Sequence, residues 1–519
     1  MKRFVGFLLC LGCPLAAADY DLVIENARLA DGTGASLVEG AIAVKDGRIV
    51  AVGEVSGSAD ERIDAKGRVV APGFIDVHTH SENLAKIPDA ENFLRMGVTT
   101  IITGNCGNSR TDLAAFFAEL EKTGTTLNVA CLIGHNAVRE AGMGGRFIRP
   151  PKPAELAAME NLVAEAMKEG AVGLSTGLIY VPGTFAKTDE IVALAKVAAS
   201  HDGIYVSHLR AENVGIFDAI EELLTIAREA KIPAQISHLK LTGPTAWGKA
   251  EEVLALLDRA RAEGLEITHD QYAYTASSTS LRQTIPDSAL EGKREDFIAR
   301  LDDPSKKATI VAAMKENLKK IGQPDYTYAV IAKFAADPTL NGKSVPAAAR
   351  IVRGSDTLDE QIELILDLER RGGAGAVFHG MNEEDLVRFL KHPATMIASD
   401  GGPRVLGEDM PHPRSYGNNA RVLGRYVREL KVLDLAEAIR RMSSLPADTF
   451  GLKDRGRVVP GAWADLVLFD PATVGDPATF PDPHHYATGF TDIIVNGGLV
   501  IRDGKLTGLR SGGPLRKAL

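Results

Sequence analysis

Two histidines at alternate positions, His78 and His80, follow the apolar run Val69 to Val77. Alternate side chains of an extended segment project to one face, so these two imidazoles can hold a single cation. Far along the chain, Asp400 closes a second apolar run, Ala394 to Ser399. A carboxylate so distant joins them only if the fold gathers strand ends, as a closed barrel of parallel strands does. Three more donors sit at strand-like ends: Cys106 follows Thr99 to Thr103 within GNCG, His208 ends Gly203 to Ser207, and His238 ends Ile232 to Ser237. A single such His is usually a satisfied core or surface residue, and a single Cys a small buried hydrophobe. Donors gathered at five strand ends point instead to a metal. Thiolate and imidazole are the ligands zinc prefers.

The elements that must position these residues are legible as alternating strand-like and helix-like segments, the pattern of βα units. Eight candidate strands end near His78, Gly104, His135, Ser175, His208, His238, Asp270 and Asp400, with helical patterns such as Pro153 to Glu169, Asp189 to Ser200 and Phe217 to Ala230 between them. The expected fold is α/β, a (β/α)8 TIM-type barrel over residues 71–450. A charged, mostly helical insertion, 282 to about 372, precedes the last barrel strand. GAVFHG at 375–380 is a further candidate strand that leaves the strand count open. Residues 19–70 and 451–519 read as short strands with the hairpin signals Asp46-Gly47, Asn496-Gly497 and Asp503-Gly504. Both chain ends are expected to join in one small β-sandwich.

The segments APGFIDVHTH, GVTTIITGNCG, SHLRAE, ISHLK, DQYAYTA and ASDGGP through HPRSYG resemble the amidohydrolase superfamily, and most closely its N-acyl-D-amino-acid deacylase branch, the D-aminoacylases. The likeness runs from about Tyr20 to Gly504. It implies a barrel with a β-sandwich, a bound zinc, and hydrolysis of N-acyl-D-amino acids to a carboxylate and a free D-amino acid. Many superfamily members bridge two metals with a carboxylated lysine on the fourth strand, yet AVGLSTG at 171–177 holds no lysine and Lys168 lies in the preceding helix. Cys106 can supply the anionic ligand instead. With neutral His208 and His238 it makes three protein ligands and leaves a fourth position open, the arrangement of a catalytic zinc. His78 and His80 then offer a second, weaker site sharing Cys106, as the resemblance also implies.

Asp400 is the candidate general base and acid, the role the resemblance assigns it; the alternative is a helix N-cap before Gly401-Gly402. Lys240, two residues past His238, projects to the same side of a continuing strand and suits a substrate carboxylate. Arg414 can add a bidentate contact and Tyr272 a hydroxyl. Arg210 and Glu212 read as a structural pair. His135 and His379 are either pocket-lining or buried and hydrogen-bonded, and His201, His269, His392, His412, His484 and His485 are read as solvent-side or structural. One departure from the branch is Ser81-Glu82-Asn83 after the HTH, where an acidic residue commonly follows directly.

Composition bounds the partners. At 519 residues the chain can hold a barrel of about 250 residues plus a smaller domain. A net charge of -9 argues against general nucleic-acid affinity; the resemblance implies a small-molecule N-acyl amino acid or dipeptide as the partner. A dipeptidase acting on a C-terminal D-residue is the main competing activity. A cyclic-amide hydrolase would want the missing fourth-strand lysine.

Lys2 and Arg3 precede the apolar run Phe4 to Leu11 and the small-residue stretch Ala16-Ala17-Ala18, the layout of a secretory signal peptide over residues 1–18. The run is too short for stable membrane insertion. Lipidation at Cys13 is a weaker alternative, because Cys10 stands where a lipobox normally has Leu. Removal of the leader leaves Cys106 and Cys131 of the four cysteines, so no disulfide framework is expected. The mature chain is expected in the periplasm, starting near Asp19. N-terminal sequencing of the native protein tests this, and an intact Met1 would refute it.

Overall fold

The computed structural model describes residues 18–517. Residues 1–17, which carry most of the expected leader with Cys10 and Cys13, lie outside the described residues. Among those described, no helix is long and apolar enough to cross a membrane.

The middle of the chain forms two parallel sheets. Phe74–Asp76, Val98–Thr103 and Asn128–Cys131 make one. Ile133–Gly134, Gly173–Gly177, Ile204–His208, Ala234–Ile236, Ile267–Gln271 and Thr395–Ile397 make the other, in that spatial order. The sheets meet on both sides. Only Leu132 separates Asn128–Cys131 from Ile133–Gly134, and Thr79 bridges Gly401 in parallel, with the Asp400 amide donating to the His78 carbonyl at 2.9 Å. Strands such as Val98–Thr103 and Gly173–Gly177 are buried at every position, which is why they read as continuous apolar or small-residue runs rather than alternating ones. The connecting helices bury one stripe each. Ile216–Ala230, for example, buries Ile216, Ala219, Ile220, Leu223, Leu224, Ala227 and Ala230, the three- and four-residue spacing of an amphipathic helix.

Between the strands Ile267–Gln271 and Thr395–Ile397 the chain builds a unit with its own apolar cluster, including Phe297, Met314, Ile331, Phe334, Leu340 and Ile365. Gly375–Phe378 is indeed a strand, but it pairs antiparallel with Ser277–Ser280 and Ala329–Lys333. It therefore lies outside the parallel sheets, and the open strand count resolves against counting it with them.

The two chain ends share one nine-stranded sheet, joined where Val69–Pro72 pairs antiparallel with Leu466–Phe469. Arg48 also bridges Trp463, so the sheet curls back on itself around Ile24, Ile42, Val44, Ile49, Leu466, Leu468 and Ile494. The three hairpin signals behave as read: Asp46-Gly47, Asn496-Gly497 and Asp503-Gly504 all have positive φ at both residues, the requirement of a type I′ turn. Two of these turns, from opposite ends of the chain, touch. A Cβ on Gly497 would lie 2.5 Å from the Gly47 Cα, whereas one on Gly504 would meet nothing within 4 Å. Gly504→Ala is therefore expected to cost only the left-handed strain, about 1–2 kcal/mol, and Gly497→Ala clearly more. Urea unfolding of both variants checks the order, and equal losses would refute the turn-to-turn contact.

Candidate metal centre

The site begins with a buried carboxylate. Asp76 accepts hydrogen bonds from the His78 amide at 3.2 Å and the Ser399 amide at 3.0 Å, clamping the segment after one strand to the segment after another. Burial pushes its pKa up to about 7. The His80 amide then donates to the Gly401 carbonyl at 2.7 Å. This pairing brings the predicted residues together: Asp400 Oδ1 lies 3.2 Å from His80 Nε2 and 3.6 Å from His78 Nε2.

Cys106 reaches the same place through a tight loop. Gly104 and Gly107 on either side both have left-handed backbones, and a Cβ on Gly104 would sit 2.1 Å from the Leu132 carbonyl oxygen. Only glycine lets this loop press against the neighbouring strand, which explains GNCG. Cys106, His238 and Asp400 themselves have φ of 53°, 34° and 50°. Such conformations are unfavourable for residues with side chains and persist where surrounding structure over-determines them.

Three imidazole nitrogens surround the Cys106 sulfur: His78 Nε2 at 3.3 Å, His208 Nδ1 at 3.6 Å and His238 Nε2 at 3.7 Å. All four residues are buried. Burial pushes the Cys106 thiol up, but His78, His208 and His238 outweigh it and hold it well below the ordinary thiol value. His78 shows the reverse balance: burial opposes its charged form, while Cys106, Asp270 and Asp400 raise its pKa well above the usual range. A cation can take the place of these protons, because metal ligands bind deprotonated. The other ring nitrogens, His78 Nδ1 and His208 Nε2, are buried without hydrogen-bond partners, each 3.5 Å from a carboxylate, Asp270 and Glu212 respectively.

One expectation about the surroundings changes. Arg210 does not pair with Glu212; its guanidinium binds Glu222 at 2.8 Å and the carbonyls of Thr184 and Ala186. Glu212 instead turns inward, 3.2 Å from His238 Nδ1 and in direct ion-pair contact with Lys240. Glu212 and the buried Asp76 and Asp270 were not legible as site residues. The available signal for Glu212 was its position four residues beyond His208, which after a strand end carries it back over the metal donors.

Lys240, Arg414 and Tyr272 all converge on the centre, but with different exposure. Lys240 lines the cavity, already paired with Glu212. Arg414 binds Asp400 Oδ2 through one guanidinium nitrogen at 2.9 Å, and the other nitrogen is buried without a partner. Its guanidinium lies 4.4 Å over the Tyr272 ring, and Tyr272 is fully buried. Neither is a wall residue of the cavity. Burial would raise the pKa of Asp400, but Arg414 and His78 hold it well below the usual carboxylate range.

Among the remaining histidines, His135 is buried against Glu190 at 2.9 Å, His379 packs on Phe480, and His412 is buried with the Ala276 carbonyl and Arg414 amide as partners. His269 is buried against Thr395. Lys168 lies on the exposed face of the helix Pro153–Lys168, paired with Glu165. The strand Gly173–Gly177 offers Ser175, whose hydroxyl accepts from the Gly107 amide at 3.1 Å.

The centre opens into a cavity of about 1200 Å³ whose floor includes His80, Cys106, His208, His238, Lys240 and Asp400. Its far wall comes from the inserted unit, with Ile285, Tyr328 and Phe378.

The buried pair Lys240–Glu212 is expected to behave as one unit. Glu212→Gln strands a buried cation and should destabilise the protein by about 3–5 kcal/mol, while adding Lys240→Met should recover most of that loss. Denaturant unfolding of the single and double variants reads the coupling; additive losses would show that the pair is not formed.

A family model described as the amidohydrolase family matches residues 61–506. An N-acyl-D-glutamate deacylase of Alcaligenes xylosoxydans xylosoxydans is 36% identical over 501 residues, covering 92% of this chain and 93% of the relative. A D-aminoacylase from the same organism is 35% identical over 518 residues, covering 95% and 97%. The solved structure of an N-acyl-D-glutamate deacylase from Bordetella bronchiseptica, complexed with zinc and a phosphonate inhibitor, superposes with a TM-score of 0.81 at 35% identity, over 96% of this chain and 99% of that one.

Proposed function

Because the chain belongs to the amidohydrolase family, in its D-aminoacylase branch of metal-dependent hydrolases, we propose that it hydrolyses the amide bond of N-acyl-D-amino acids, releasing a carboxylate and a free D-amino acid. The observation that carries this reading is the buried sulfur of Cys106 ringed by His78, His208 and His238, with Asp400 beside them. Zinc is the metal we assign. Thiolate and imidazole are the donors it prefers, and the donor atoms of Cys106, His78 and His238 lie within 4.8 Å of one another, as do those of His208, Glu212 and His238.

Cys106, His208 and His238 are the proposed zinc ligands, with His78 and His80 as a second, weaker set sharing Cys106. The bound metal would supply Lewis acidity toward the amide carbonyl and acidify the attacking water. Asp400 accepts the water proton on Oδ1 and returns it to the leaving amine, while Arg414, on Oδ2 and stacked over Tyr272, keeps the carboxylate oriented. Lys240 on the cavity floor meets the substrate α-carboxylate. The accompanying fold reading is one closed (β/α)8 barrel, residues 71–450, supported by the Thr79–Gly401 bridge and the continuity through Leu132. Within it we assign 282–372 as the insertion, flanked by the paired strands Ser277–Ser280 and Gly375–Phe378 that complete its unit, and 19–70 with 451–519 as the β-sandwich. Export to the periplasm rests on residues 1–18 alone.

The cavity also has room for a dipeptide, so the decisive assay compares N-acyl amino acids and dipeptides in both D and L forms. The expected outcome is preferential hydrolysis of N-acyl-D-amino acids. Higher kcat/KM for dipeptides with a C-terminal D-residue would replace the deacylase reading by a dipeptidase, and equal rates on L forms would remove the stereochemical one. In the same assay Cys106→Ala should lose zinc by elemental analysis, whereas Asp400→Asn should keep it and lose about a hundred- to ten-thousandfold in kcat. An Asp400→Asn enzyme with most of its kcat would reduce Asp400 to a cap.

A further inference from the structure

Every cation in the cavity wall except one already has a carboxylate partner. Arg146 pairs with Glu140 at 2.9 Å, Arg210 with Glu222 at 2.8 Å, Lys240 with Glu212, and Arg282 with Glu369. Lys320 is the exception among the described residues, and it is exposed to solvent. One wall carboxylate has the opposite character: Asp287 is half-buried and receives a hydrogen bond from the Thr184 hydroxyl at 2.8 Å, with no cation in ion-pair contact among the described residues. The remaining wall is uncharged, part polar, with Asn136, Ser278, Thr279 and Gln283, and part apolar. Ile179 and Val181 face it from one side, and Ile285, Ile321, Tyr328 and Phe378 from the inserted unit.

We infer that this enzyme selects substrates with a single carboxylate, the α-carboxylate, and with an uncharged, apolar side chain. The inference rests on the deacylase reading and deepens it, and it runs against transferring acidic-substrate preference from the N-acyl-D-glutamate deacylases that the chain resembles. A second carboxylate entering this cavity would shed water and find only the solvent-exposed Lys320 unpaired, while it would approach Asp287, a like charge. An apolar side chain covers the aromatic and aliphatic wall and gains in proportion to the area removed from water.

The test needs only the wild-type holoenzyme and four substrates. N-acetyl-D-glutamine and N-acetyl-D-glutamate have nearly the same shape and differ by one charge, so their kcat/KM ratio isolates the charge. It should favour glutamine by on the order of a hundredfold. N-acetyl-D-phenylalanine should in turn exceed N-acetyl-D-alanine by about tenfold or more. A glutamate rate equal to or above that of glutamine overturns the inference while leaving the deacylase reading intact, and so does an alanine rate matching phenylalanine. Failure to cleave any of the four overturns the deacylase reading itself.

Discussion

The parallel pairing of His78–His80 with Asp400–Gly401 is the constraint on which the centre depends. Two backbone hydrogen bonds and the Asp76 carboxylate hold segments that are more than three hundred residues apart in the chain. Without that clamp His80 would lose its carboxylate, His78 would keep only Asp270, and Arg414 would lose its ion pair. Burial dominates the proton affinity of Asp76, while contacts with Ser399 and His78 partly offset it. It acts on geometry: two amides aimed at one carboxylate set the spacing between strand ends.

Around that clamp the charges are arranged in pairs that leave little freedom. Arg414 answers Asp400, Lys240 answers Glu212, and the thiolate of Cys106 faces imidazoles. Buried ion pairs are poor sources of net stability, since desolvation offsets most of their attraction. Their value here is positional. A carboxylate fixed by a guanidinium on one oxygen presents the other in a known direction, and the stack of Arg414 on Tyr272 stops the guanidinium from turning away.

Much of this was legible in the sequence for a definite reason. His78, His80, Cys106, His208, His238 and Asp400 follow apolar runs, and strand ends are where a parallel sheet exposes side chains to a common face, so type and position together pointed to one centre. The hairpin turns were equally legible, because Asp-Gly and Asn-Gly have few other uses between apolar runs. Glu212 and Asp270 were hidden by their company. Glu212 stands beside Arg210, and adjacent opposite charges look like a local pair, yet the loop after His208 turns the two side chains in opposite directions. The inward face of Asp270 and the burial of Tyr272 depend on tertiary packing that no local pattern encodes. The register of GAVFHG was ambiguous for the same reason: four apolar or small residues make a strand anywhere, and only partners decide which sheet receives it.

The nine-stranded sheet assembled from both chain ends has a consequence for how the molecule comes into being. Val69 pairs with Phe469, so the strand that feeds directly into Phe74–Asp76 completes its outer neighbour only after nearly the whole polypeptide has emerged. Closing a loop of that length costs about 5 kcal/mol of chain entropy, and long-range pairing of this kind is slow and leaves an open strand edge in the meantime. Synthesis from the N-terminus thus produces the early hairpin first and its mate last. The candidate metal donors at the front of the chain are held in register by residues that the ribosome delivers late.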